Sequence, residues 1–562
     1  MPRTPRAARR AAACLLTLAL LAACGRTAEP ASSARVLNVV LQGDPTDLNS
    51  MTTADENSYD VLDQIMEGLT RLNSAGVPEP AIAKSWTAST DGLTYTFHLR
   101  DAEWNTGTAV TADDFIYAWE QALDPRNAAR EGSMLQYIQG AGALLALQLP
   151  DAKQDPSGYQ AAVAKIPGLD SGLGLQAPDA QTLIVTLAQP EAFWLTLTAL
   201  PVYFPAPQAQ IAQWGFANYG ADPDHLWSDG PFELTEWVHN DHLEMTRNPA
   251  YWNAGAVQAA GVHAAIVSDA ATIANLYDTG QIDALLPSVP ADYVQTYASR
   301  PGYVSTPEAA VLWLQFGAKA APFSNALVRR AFSESIDRSQ FAAQVVGGGA
   351  APAFALTPPT IHYASGQLFT NLVGQVLPLQ SNVPQAKADL AAGLKQLGLQ
   401  QLPPLTLLVT NASASQTDSQ ALQSIWQSAL GIQVQIQPAD SHTYDAKVEA
   451  GQFQIALVGW NADYDDPTGF LNLFTTSSAD NFGGWSDAAF DADMAAALAA
   501  GTSGQRGADL AAAERELLAQ LPVAPLWWPS RNYMVRPGIS GVVVNLTGPD
   551  YYLGGVTFTA RG

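Results

Sequence analysis

Cysteine is almost absent from this chain. Its 562 residues hold two, Cys14 and Cys24, too few for a disulfide framework, so the fold has to rest on its hydrophobic core. Basic residues are scarce as well: 27 Lys and Arg face 52 Asp and Glu, a net charge of −25. Such a field repels phosphate backbones and anionic lipid surfaces, which excludes nucleic acid as a partner. Most of these carboxylates read as solubilising surface. Catalytic constellations are missing too. There is no Gly-x-Ser-x-Gly elbow and no His-Glu-x-x-His helix. Gly347-Gly348-Gly349 lacks the lysine of a phosphate-binding loop and reads as a turn. The closest histidine pair, His239 and His242, is predicted on an exposed turn between Trp237 and Leu243. Asp463, Asp465 and Asp466 have the look of a calcium loop. Pro467 at the fifth position, Thr468 at the sixth and Phe474 in place of the final glutamate exclude one. No catalytic residue, metal ligand or cofactor is therefore expected.

What is present begins at the N-terminus. Arg3, Arg6, Arg9 and Arg10 precede Ala11–Ala23, a charge-free run of 13 residues centred on Leu15, Leu16, Leu18, Leu20 and Leu21. A bilayer-spanning helix needs about 20 apolar residues. Basic start, short apolar run and small residues together read as a signal peptide over 1–23. Leu21-Ala22-Ala23-Cys24-Gly25 resembles a bacterial lipobox, making Cys24 the lipid-modified first residue of an exported chain. The rival reading is an ordinary secretory signal with an incidental cysteine. Residues 24–34 are small and polar, a tether. Losing the four signal arginines takes the charge from −25 to −29, and leaves 539 residues, enough for extensive burial.

From Val36 onward, strand and helix patterns alternate, which predicts mixed α/β domains. Val36–Leu41 is a short apolar run of buried-strand type. Tyr95, Phe97 and Leu99 alternate with polar residues, the period of a half-buried strand. Thr111-Ala112-Asp113-Asp114 reads as a capping box opening a helix, with Phe115, Ile116, Trp119, Ala122 and Leu123 on one face. Texture loosens near residue 150, and a strand is predicted over Thr182–Leu187. Helices are predicted over Val328–Ile336, Asp418–Leu430 and Asp509–Leu518. Gly431 ends the second of these before a strand at Ile432–Ile436.

Several segments, in order, resemble the family 5 extracellular solute-binding proteins, the oligopeptide- and dipeptide-binding class that serves ABC importers. They are Glu67-Gly68-Leu69 with Pro80-Ala81-Ile82-Ala83-Lys84-Ser85-Trp86, Leu93–Leu99 with Arg100-Asp101-Ala102-Glu103-Trp104, and Asp229-Gly230-Pro231-Phe232. Further on come Arg247-Asn248-Pro249-Ala250-Tyr251-Trp252, Tyr277–Asp283, Val328–Ala331 with Ile336–Arg338, and Gly459–Pro467. The resemblance implies a two-lobed α/β fold like the periplasmic binding proteins (class II, cluster C), with an extra small domain and a closing hinge. It implies domain I from 35–72, 205–306 and 528–562, domain II at 73–204 and domain III at 307–527. The hinge strands are expected at Val311–Phe316 and Ala524–Trp528.

The resemblance also implies a peptide ligand whose α-ammonium pairs with Asp463, beside Asn461, and a second cleft carboxylate at Asp44. Trp313, Trp460, Tyr464 and Trp485 are candidates to wall the cleft, or else plain core. Leu457, Val448, Ser415 or Gln416 and Ser441 stand where the best-known oligopeptide binders carry arginines, histidine or tryptophan for the ligand's C-terminus. The expected partners are a peptide, ABC permease subunits and the membrane through a lipid anchor, with the protein a monomer. Rival readings are a same-fold binder of a non-peptide cationic solute, oligosaccharide or metal chelate, and a peptide-sensing receptor subunit. The lipobox reading predicts that Cys24→Ser releases the protein from membranes into the medium. Equal membrane retention of both forms, assayed by fractionation and immunoblot, contradicts it.

Overall fold

The computed structural model describes residues 35–364, 366–462 and 464–559. The signal peptide, Cys24, the tether and Asp463 lie outside the described residues. The predicted elements recur with shifted ends. Thr111 caps the helix Ala112–Leu123, its backbone N–H donating to the Asp114 carboxylate at 2.8 Å. The strand Thr94–Leu99 buries Tyr95, Phe97 and Leu99. The helix expected at Asp418 starts earlier, spanning Ser413–Leu430, and Gly431 follows at φ +72°. Asp509–Leu518 is the inner part of a longer helix, Ser503–Gln520. Polar first turns hid both starts, because apolar periodicity registers only where a face is buried.

Two lobes result. The first holds a sheet ordered Val36–Leu41, Gly261–Ile266, His242–Arg247, Phe232–Val238. A second sheet runs Ala83–Ala88, Thr94–Leu99, Thr182–Thr186, Leu175–Asp179. The other lobe is built on six strands: Ala351–Pro352, Val523–Trp528, Ala310–Phe316, Ile455–Asn461, Leu405–Thr410 and Val434–Ala439. The strands named above as hinges are neighbours in that sheet. Ala310–Phe316 lies antiparallel to both Val523–Trp528 and Ile455–Asn461.

The recurring motifs converge on one buried network in the first lobe. Glu67 accepts from Arg71 at 2.7 Å, from the Tyr251 hydroxyl at 3.1 Å and from the Trp252 indole. Asp229 accepts the Glu67 backbone N–H at 3.1 Å, and the Arg100 guanidinium sits 3.4 Å above the Trp252 ring. Asn248 donates to the Gly230 carbonyl at 3.0 Å. Four separated motifs thus make one structural knot, and the buried Glu67 carboxylate is tolerated because both its oxygens accept hydrogen bonds.

The second lobe uses arginine differently. Arg338 is fully buried and faces carbonyls: it donates to Pro525 at 2.7 Å, Ser333 at 3.3 Å and Pro378 at 3.3 Å, and to the Ser333 hydroxyl at 2.7 Å. Burial pulls its pKa down to about 10. This clamp fastens the helical layer to the strand Val523–Trp528. Arg338→Met keeps the bulk and strands those carbonyls, so we expect a loss of about 2 kcal/mol or more, read by guanidinium denaturation; an unchanged midpoint contradicts the clamp.

Candidate functional site

Three chain segments meet where the lobes join. Strand Ala310–Phe316 enters there, Ile455–Asn461 ends there, and the chain leaves Val523–Trp528 there. The Ala462 N–H donates to the Ala309 carbonyl at 2.8 Å, and the Glu308 N–H to the Pro529 carbonyl at 3.0 Å. Beside this knot lies a cavity of about 290 Å³, walled by Ala54, Glu56, Tyr59, Leu200–Val202 and Leu546–Asp550, with Ala310, Asn461 and Ala462 at the junction. A second cavity of about 320 Å³ shares Glu56, Glu308, Asn461, Arg531 and Asp550 and extends to Val40, Leu41 and Gln42. Their volumes suit a small ligand.

Local sequence explains the walls. Asp55 caps the helix Glu56–Ile65, accepting the Ser58 N–H at 2.9 Å, and this sets Glu56 at the helix start. Asp60 on the same helix accepts the Asp550 N–H at 2.9 Å, tying the C-terminal segment to it. Burial pushes the Asp60 carboxyl well above its ordinary range. Arg531 donates to Asp550 at 2.5 Å and stands 3.8 Å from Glu308. Burial raises the carboxyls of Glu56, Glu131 and Glu308, with repulsion from Asp550 adding at Glu56.

The residues picked from the sequence disperse. Asn461 lines both cavities. Trp460 is half-buried, with an indole N–H that has no partner among the described residues. Trp313 is core, donating to Gln315 at 3.1 Å with its ring edge on Phe474. Trp485 is buried against Phe490. Tyr464 is buried and stacked on Phe193 at 3.9 Å and 10°, a contact between the lobes. Asp44 accepts from the Trp237 indole at 2.9 Å, His239 at 3.0 Å and the Asn240 N–H at 3.0 Å. Its carboxylate pins the hairpin turn that carries His239. The two acids after Asp463 are also committed. Asp465 accepts from the His362 N–H and ring, each at 2.7 Å, which raises the His362 pKa. Asp466 holds buried Arg506 bidentately at 2.8 Å. Glu56, Glu131, Glu308, Arg531 and Asp550 escaped the sequence reading, since they come from distant stretches with no shared motif.

Two α/β lobes joined through adjacent strands, with a cavity at the junction, define a solute-binding architecture. The family model described as bacterial extracellular solute-binding proteins, family 5 Middle, matches residues 77–482. The chain belongs to this family. It is 30% identical over 524 residues to the oligopeptide-binding protein OppA of Bacillus subtilis, covering 92% of this chain and 91% of that one. It is 28% identical over 513 residues to the dipeptide-binding protein DppE of the same organism, covering 91% and 90%. Among solved structures, the unliganded open form of the murein tripeptide binding protein MppA matches with TM-score 0.77 at 27% identity, covering 94% of this chain and 98% of that chain. Peptide-bound OppA of Listeria monocytogenes matches with TM-score 0.70 at 27% identity, covering 94% and 100%.

The Phe193–Tyr464 stack yields a direct test of how the lobes hold together. Offset aromatic pairs contribute about 0.5–1.5 kcal/mol beyond area burial. A double-mutant cycle of Phe193→Leu and Tyr464→Leu, followed by chemical denaturation, should return a coupling in that range. Strict additivity means the rings do not act as a pair.

Proposed function

We propose that this protein captures short peptides outside the cytoplasm and passes them to an ABC permease, held at the membrane by lipid on Cys24. One observation carries the peptide reading. Val36–Leu41 is the edge strand of its sheet, and Asn38 turns both backbone groups outward, donating to the Asp283 carboxylate at 3.0 Å and accepting the Asp283 N–H at 2.7 Å. Val40, two residues on, is buried against Leu285 yet borders the cavity. An extended peptide adds to such an edge through its main chain, which provides affinity without reading side chains. The relatives named as oligopeptide and dipeptide binders support the same reading. Its lobes close over the ligand by shifting an open–closed equilibrium.

In this reading Asp463, which follows cavity-lining Asn461 and Ala462 in sequence, receives the ligand's α-ammonium. Asp463→Asn keeps the shape and deletes the charge. Truncating one member of a desolvated charge pair costs about 2–5 kcal/mol, so affinity should fall by roughly 30-fold or more. N-acetylating the peptide should cost the wild type a similar amount and the mutant far less. Calorimetry in which free and N-acetylated peptides bind the wild type equally removes this role.

A further inference from the structure

The junction cavity has a charge pattern that main-chain capture of a peptide does not require. Its lining includes Glu56, Glu131, Glu308 and Asp550, and among the described lining residues Arg531 is the one cation. The adjoining cavity repeats the pattern and adds Asp60. Arg531 is already engaged: Asp550 takes its guanidinium at 2.5 Å, and Glu308 stands 3.8 Å away. Glu56 and Glu131 enter no ion pair or side-chain hydrogen bond among the described residues. Arg531 acts on Glu56, and Arg130 on Glu131, only through their fields. Elsewhere, buried Glu67 and Asp466 are matched by Arg71 and Arg506, while buried Asp229 and Glu514 are held by hydrogen bonds alone.

We infer that the cavity selects ligands carrying a second positive charge, a basic side chain seated between Glu56 and Glu131, and that these two glutamates set that preference. The inference rests on the junction cavity being the ligand site. The physical reason is desolvation. The cavity walls raise both carboxyls, and a cation brought between them restores the interaction lost with water. An anionic side chain there meets carboxylates at short range in a medium less polar than water. The acidity of the whole chain, −25, draws cations toward the cleft over longer distances and weakens with salt.

The test uses the full-length protein and calorimetry with four probes: Ala-Lys-Ala, Ala-norleucine-Ala, Ala-Glu-Ala and the diamine cadaverine. Norleucine keeps the lysine stem without the charge. The lysine peptide should bind about tenfold or more tighter than the norleucine peptide, and the glutamate peptide weakest. Glu56→Gln with Glu131→Gln should erase the lysine advantage while leaving norleucine affinity within about twofold. Lysine and norleucine peptides of equal affinity, or an advantage that survives both substitutions, overturn the inference and leave peptide capture standing. Binding of cadaverine with no peptide bound upholds the cation preference and removes the peptide reading instead. Binding of none of the four overturns both.

Discussion

The strand Ala310–Phe316 is the constraint on which the rest depends. It pairs along one edge with Ile455–Asn461 and along the other with Val523–Trp528, so the centre of one lobe's sheet is also the path to the other lobe. Every backbone group in that arrangement has a partner only if all three strands keep register. Their ends are therefore delivered together: Glu308–Ala310, Asn461–Ala462 and Arg531 arrive at one cavity. The site follows from the sheet's hydrogen bonding, without any loop long enough to be placed by itself.

Charge is handled differently in the scaffold and at the lobe junction. Glu67, Asp466 and Arg338 are each surrounded by partners that satisfy them within the fold, as a group removed from water demands. Breaking such a set costs far more than forming it returns, because the remaining partners are stranded. At the lobe junction the accounting is left open. Glu56 and Glu131 line the cavity outside any ion pair among the described residues; burial raises both carboxyls, and the fields of Arg531 and Arg130 act against it.

The motifs that revealed the family turned out to build it. Glu67, Asp229, Asn248, Tyr251 and Trp252, read from separate stretches, lie in one network and none of them lines the cavity. Arg338 clamps a strand, and Asp465 and Asp466 fix His362 and Arg506. Asp44, picked as a cleft acid, holds a hairpin turn. Trp313 and Trp485 fill core.

Sequence alone determined the α/β class, the main strands and helices, and the family. Those features are local, written in alternation, helical periodicity, capping residues and contiguous motifs. Tertiary structure decided which charges meet. Glu56, Glu131, Glu308, Arg531 and Asp550 span nearly 500 residues of chain, and nothing in the spacing of five such residues marks them as neighbours. Only the closure of sheets and the crossing of strands brings them to one wall, where low polarity gives their shared charge its consequence.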